Sequence, residues 1–302
     1  MNALATELNT TLDGTAAGRL LASLGRRMYF PKGILTQSAE AGQKAKRFNA
    51  TIGMAYAGGK PMALDAVLRH VPDLTNTEAV AYAPTGGVMA TREAWKREMV
   101  RKNPSLQGRT TSMPVVVPGL TAGISYLADM FIDEGDSVVV ADMYWPNYKL
   151  IMEDRKEAVL EKYAFFSPAG GFNLDGFTSA MTSAAAKKKK VVVILNYPNN
   201  PTGYTPSMAE AAGIVQALVG LADKGTDILV ISDDAYFGLQ YEADNLRESM
   251  FALLAGAHPR ILAAQVDGQT TVDYVWGFRG GFITFTGPAL TENKMDALGK
   301  KL

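Results

Sequence analysis

A chain of 302 residues, 47% hydrophobic and 20% charged, has an ordinary globular composition and can bury roughly 75% of its surface, in one large α/β domain or about two smaller ones. Thirty basic residues balance thirty acidic ones, which argues against a nucleic-acid or anionic-membrane partner, and the lack of cysteine removes disulfides, thiolate zinc sites and thiol catalysis. No apolar run approaches the ~20 residues that span a bilayer, and Arg19 breaks the one apolar stretch near the amino terminus, so neither a membrane span nor a signal peptide is expected and the chain is read as cytoplasmic.

In chain order, Met113–Val117 is a short β-branched run ending at Pro118-Gly119, and Ala122–Ile132 reads as a helix closed by Glu134-Gly135. Ser137–Ala141 is a second apolar run, Val191–Leu195 a third and Ile228–Ile231 a fourth, with a helix predicted over Ser207–Lys224. Continuous apolar runs separated by helices indicate strands buried on both faces, hence a three-layer α/β/α architecture with a mostly parallel sheet. The Lys187–Lys190 run before the third strand reads as either a solvated turn or an anion patch. His70 and His258 are the only histidines, which makes a histidine metal site or hydrolytic triad improbable.

Ligands of such folds bind beyond the carboxyl ends of the strands. Four polar or aromatic clusters follow the four runs: Gly119–Gly123, Asp142–Tyr148, Asn196–Gly203 and Ser232–Tyr236. Small residues at Thr121–Gly123 open a helix, which gives either a phosphate site at its N–H groups or an unexceptional helix start. Trp145, in a turn, is either an apolar plug or a stacking plate for a planar ring. Asp233 and Asp234 end an apolar strand, so at least one carboxylate is expected to be partly buried and to need a partner. A metal would serve, but no further Asp, Glu or His has ligand-like spacing nearby; a protonated ring nitrogen would serve equally.

The strings Asn200-Pro-Thr-Gly203, Asp233-x-Ala-Tyr236 and Trp276-Gly-Phe-Arg279-x-Gly281, in this order, resemble the class I/II aminotransferases, pyridoxal-phosphate enzymes of fold type I. The resemblance runs from about Gly53 to the end of the chain. It implies residues 1–50 as an N-terminal segment, 51–288 as the cofactor-binding large domain and 289–302 as the start of an interdomain helix. It implies that Asp233 pairs with the pyridine nitrogen, that Asn200 and Tyr236 bond the phenolic oxygen and that Trp145 stacks on the ring. Thr121, Ala122, Gly123 and Arg279 would hold the phosphate, Gly53 would lie near the substrate, and Tyr82 would reach the phosphate of a neighbouring subunit, making a homodimer.

Two departures follow. The family's Schiff-base lysine precedes the phosphate-binding arginine by eight residues, and here that position is Thr271; no lysine occurs between Lys224 and Lys294. The family's small C-terminal domain, with its carboxylate-binding arginine, has no counterpart, and Met295, Leu298 and Leu302 have no evident partner. The resemblance therefore implies transfer of an amino group between an amino acid and a 2-oxo acid, impaired, with pyridoxal phosphate held non-covalently at best. Two alternatives are a non-catalytic pyridoxal-phosphate-binding pseudoenzyme or subunit, and another fold-type-I enzyme such as a lyase or decarboxylase.

Overall fold

The apolar runs become neighbouring strands of one sheet in a computed structural model, which describes residues 1–29, 34–49, 51 and 53–302. The chain divides into two compact units, Met1–Ala63 and Leu64–Leu302. The first holds α1 (Ala3–Leu12), α2 (Ala16–Leu20), α3 (Ser23–Arg27), α4 (Ile34–Lys44) and a hairpin of β1 (Tyr56–Ala57) and β2 (Lys60–Pro61). Asn2 caps α1 and Thr15 caps α2, each accepting from a backbone N–H of its own first turn. Asn9 and Arg26 bind the three short helices together through the Arg26 and Gly18 carbonyls, at 2.9 and 2.7 Å.

The second unit begins with α5 (Asp65–Leu68), α6 (Asn76–Val80) and α7 (Met89–Lys102). It continues through β3 (Val115–Val117), α8 (Leu120–Phe131), β4 (Ser137–Ala141), a π-helical stretch Lys149–Arg155 and β5 (Val159–Tyr163). Next come α9 (Leu174–Lys187), β6 (Lys190–Asn196), α10 (Met208–Asp223), β7 (Asp227–Asp233), α11 (Met250–Leu254), β8 (Ile261–Asp267), β9 (Gly281–Thr286) and α12 (Glu292–Gly299). Seven strands form the sheet in the order β3-β9-β8-β7-β6-β4-β5. All run parallel except β9, which is antiparallel to both of its neighbours.

Both faces of the sheet are buried, as continuous apolar strands require. On one face Val191, Val193 and Leu195 of β6 and Ile228 and Val230 of β7 pack against α9, α10 and α11 through Phe177, Leu218 and Phe251. On the other, Val192, Ile194, Leu229 and Ile231 meet Ile124 and Leu127 of α8, together with Ile151 and Met152. The period of two along each strand thus feeds two separate cores. Each fully buried Val, Ile, Leu or Phe contributes roughly 1.5–3 kcal/mol.

Helix signals are chemically explicit in α10. Ser207 and Glu210 form a reciprocal capping box, and the helix covers all but the end residues of the predicted Ser207–Lys224 span. The lysine run serves acids of the sheet's amino-terminal end: Lys188 and Lys190 both bond Asp136, and Lys187 bonds Glu161. The closing apolar residues do find partners. Met295 is buried, and Leu298 and Leu302 pack on the core that contains Phe285. Among the described residues no helix is long and apolar enough to cross a membrane.

Candidate functional site

Because β4, β6, β7 and β8 are parallel, their carboxyl ends lie along one edge of the sheet, and a cavity of about 160 Å³ opens there. A cavity of this size holds about one six-membered ring. It is lined by Thr121, Trp145, Asn200, Asp233, Tyr236, Thr271 and Arg279, which the sequence places in five separate segments.

Asp233, the last residue of β7, is buried, and its partners are neutral. The Tyr148 hydroxyl donates to Oδ2 at 2.5 Å and the Ala235 N–H to Oδ1 at 3.2 Å. Burial pushes its carboxyl up to about 6, against the opposing pull of those two bonds. It therefore remains largely ionised at neutral pH, a buried anion whose hydrogen-bond partners carry no positive charge. Tyr148 is driven well above its ordinary value by burial and by the Asp233 charge, so it stays a donor.

Asn196 ends β6 directly beside Asp233 in the parallel register. Its amide donates to the Asp233 carbonyl at 2.8 Å and accepts the Asn200 N–H at 2.7 Å. Asn200 is thereby fixed, and its Nδ2 donates to the Tyr236 hydroxyl at 3.3 Å. Burial, then the Asp233 charge, raises Tyr236, which leaves a protonated hydroxyl free to donate into the cavity. Asp234 faces elsewhere: it accepts from Ser232 and Gln265 at 2.8 and 2.6 Å and does not line the cavity. Both carboxylates are buried, yet only one is presented to a ligand. Among the described residues no cluster of three His, Cys, Asp or Glu side chains could hold a metal ion.

The amino end of α8 supplies the complementary charge. The N–H groups of Leu120, Thr121 and Ala122 have no acceptor within the helix, and the helix dipole adds positive potential there. Arg279 lies over this end. Gly119, at φ 89°, has room for it only because it lacks a side chain: a Cβ there would sit 2.9 Å from Arg279 Nη2. Gly123 contributes differently from its neighbours. Its N–H is taken by the Gly119 carbonyl at 3.2 Å, and it lets α8 seat on the sheet, since a Cβ would meet Val266 at 2.9 Å.

Thr270 and Thr271 enter the lining from a turn closed by Asp273 N–H to Gln269 O and Val275 N–H to Thr270 O, both 3.0 Å. Trp145 forms a half-buried wall, edge-on to Tyr148 at 5.6 Å between ring centroids. Ala122 and Gly123 adjoin the cavity without lining it. Tyr82 is fully exposed and outside it. Gly53 belongs to the first unit and is exposed.

Sequence reasoning passed over Tyr148, Asn196 and Trp276. All three stand inside the strings that follow the strands or carry the family resemblance, but none was given a role. Tyr148 follows Trp145 by three residues, in a turn whose Tyr148 N–H bonds the Trp145 carbonyl at 2.9 Å, and so shares its side of the chain.

Comparison with known proteins supports the family and the fold. A family model described as aminotransferase class I and II matches residues 53–285. An aspartate/prephenate aminotransferase of Thermus thermophilus is 29% identical over 164 residues, 54% of this chain and 40% of its own length. A probable N-acetyl-LL-diaminopimelate aminotransferase of Bacillus subtilis is 26% identical over 164 residues, 54% of this chain and 38% of its own. These matches thus span about two fifths of the curated relatives. Among solved structures, an aminotransferase from Anaerococcus prevotii superposes with a TM-score of 0.81 at 22% identity, covering 93% of this chain and 69% of its own. A Thermus thermophilus aspartate aminotransferase mutant complexed with tryptophan gives 0.69 at 20% identity, over 93% of this chain and 68% of its own. With the family model spanning 233 of the 302 residues, this chain belongs to the class I and II aminotransferases.

Proposed function

We propose that the chain binds pyridoxal phosphate in this cavity without a covalent tether, and that amino-group transfer between an amino acid and a 2-oxo acid is impaired in it. The observation that carries the reading is a buried carboxylate with only neutral partners, Asp233, in one ring-sized cavity with Arg279 and a helix amino terminus. Asp233 holds the proton on the pyridine nitrogen, Asn200 and Tyr236 bond the phenolic oxygen, and Trp145 covers a ring face. Thr121, Ala122 and Arg279 hold the phosphate, while Gly123 sets the depth of α8. When bound, the group supplies an electron sink for charge at the substrate's α-carbon. Thr271 forms no imine and is a poor base, and loss of the base alone costs about 10²–10⁴-fold in rate. That same residue favours a second reading, a non-catalytic pyridoxal-phosphate-binding subunit.

The family supports a dimer, and Tyr82, with the exposed Val80, Val88 and Met89 near it in sequence, is the segment we assign to a second copy, whose phosphate Tyr82 would reach. Sedimentation should then give a dimer; a folded monomer removes this part.

The test is a titration with pyridoxal phosphate, followed by dialysis and by borohydride reduction. Binding should be dialysable, lost in Asp233→Ala, and leave no cofactor fixed to protein after reduction. Cofactor fixed at a lysine overturns the untethered reading, and absence of binding overturns the cofactor reading. Single-turnover measurement of the loaded protein with amino acids separates the slow enzyme from the inert subunit.

A further inference from the structure

We propose that the cavity selects the amine form of its ligand, a 5'-phosphorylated pyridoxamine or its N-substituted amino-acid derivative, over the aldehyde. The inference rests on the cofactor reading above and concerns what Thr271 does in it.

In a pyridoxyl ring the 4' substituent lies para to the nitrogen, flanked by the phenolic oxygen and the phosphate arm. With the nitrogen at Asp233, the phenolic oxygen at Asn200 and Tyr236, and the phosphate at Thr121 and Arg279, the polar lining that remains is Asn196, the Trp276 indole and the hydroxyls of Thr270 and Thr271. The Asn196 amide is already bonded to Asp233 and Asn200, so the two threonine hydroxyls are the acceptors not yet engaged. No lysine lines the cavity, so an aldehyde gains no covalent bond there. Among the described residues the Thr271 hydroxyl has no protein hydrogen-bond partner, and Thr271 is only half-buried, so its oxygen is open to a ligand. A hydroxyl oxygen carries two acceptor lone pairs. A 4'-ammonium, charged at neutral pH, would donate a charge-assisted hydrogen bond to it, roughly twice as strong as the neutral bond an aldehyde oxygen could accept.

Charge points the same way. The ionisable groups lining the cavity are Asp233, Arg279 and the protonated Tyr236, which leaves no cation for the 4' end. The amine brings the positive charge that a lysine would have carried. A threonine side chain is also several atoms shorter than a lysine, and the freed space suits a substituted nitrogen better than a bare carbonyl. The chain is thus arranged to retain an aminated ligand, where a lysine-bearing site captures the aldehyde.

Three ligands decide the matter in equilibrium dialysis: pyridoxamine phosphate, pyridoxal phosphate and 4'-deoxypyridoxine phosphate, which has neither amine nor aldehyde. The amine should bind about tenfold or more tightly than the other two, the contribution of one charge-assisted hydrogen bond. Thr271→Ala should bring all three within about twofold of one another, and Thr271→Ser should keep the preference. In Thr271→Lys the new amine condenses with the aldehyde, releasing one water, and borohydride then adds hydride across the C=N bond. That variant should hold pyridoxal phosphate irreversibly and lose its preference for the amine. Equal or tighter aldehyde binding by the parent chain overturns the proposal, as does a preference that survives in Thr271→Ala. Failure of all three ligands to bind brings down the cofactor reading itself; a deoxy compound that binds as well as the amine removes only the selectivity.

Discussion

Tyr148 controls the state of Asp233. Burial alone favours the neutral acid, and the 2.5 Å hydrogen bond from the tyrosine is the larger of the two bonds that oppose it, leaving the carboxyl at about 6. If ionised Asp233 pairs with a pyridinium, ligand affinity should be level near pH 7 and fall as pH drops below about 6. Tyr148→Phe deletes the hydroxyl and keeps the ring that packs against Trp145 and Tyr144. A hydrogen bond to a charged group contributes ~1.5 kcal/mol or more, so the acid limb should move up by about one pH unit. Measuring 4'-deoxypyridoxine phosphate affinity from pH 5 to 8 in both proteins checks this, since that ligand has no titrating group at 4'. An unmoved limb would mean that Tyr148 only fills space. Asp233 was readable because it ends an apolar run, whereas Asn200, Tyr236 and Arg279 were assigned only through the strings that carry the family resemblance. Tyr148 was not assigned, because its value comes from a contact with a residue 85 positions away, which no local pattern records.

At the scale of elements, legibility followed composition. β4, β6 and β7 were predicted because Val and Ile fill them without interruption, so that both faces announce burial. β8 was passed over: Ala263, Ala264 and Gln265 lack the branched or aromatic character of a strand, although they are fully buried between β7 and β9. β5, at the sheet edge, mixes Glu161 and Lys162 with Leu160, and its half-exposed face blurs the signal. The reversal of β9 is a property of the connection rather than of any strand's residues. The same packing sets a contrast between two helical glycines. In α8 a Cβ at Gly123 would stand 2.9 Å from Val266 Cγ1 and 3.3 Å from Val117 Cγ2, both short, stiff side chains. In α10 a Cβ at Gly220 would meet nothing within 4 Å. Gly220→Ala should therefore stabilise by up to ~1 kcal/mol through helix propensity. Gly123→Ala should instead cost ~1–3 kcal/mol of overpacking, partly offset by that same propensity, and should weaken phosphate-ligand binding because α8 must lift. Urea unfolding of both variants decides the question; equal effects would show that α8 has slack against the sheet.

For the whole molecule, the parallel sheet concentrates acids at one edge. Asp233, Asp234 and Asp267 close β7 and β8 and are all buried, with no salt-bridge partner among the described residues. Burial raises Asp234 to about 7, and burial, then the Asp234 charge, raises Asp267 to about 8. Asp267 accepts from the Trp95 indole at 2.9 and 3.0 Å, a bond that only partly offsets its desolvation. An acid raised in the folded state binds more protons there than in the unfolded chain, whose value is 3.8. Stability should therefore fall as pH rises, beginning near the unfolded value and continuing until each folded value is passed, which for Asp267 is about 8. Carboxyls held low, such as Asp136 between Lys188 and Lys190, act in the opposite sense, and their contribution is lost only below the ordinary carboxylate range. Between pH 5 and 8 the raised acids should dominate, each with a slope of up to ~1.4 kcal/mol per pH unit. Asp267→Asn keeps an acceptor for Trp95 and removes the titration. Its unfolding free energy, followed by urea denaturation from pH 5 to 8, should decline less steeply than that of the parent. The variant should gain most at pH 8, where the parent's buried acid is about half ionised. Parallel pH profiles would place the edge charges elsewhere and leave Asp267 ionised throughout.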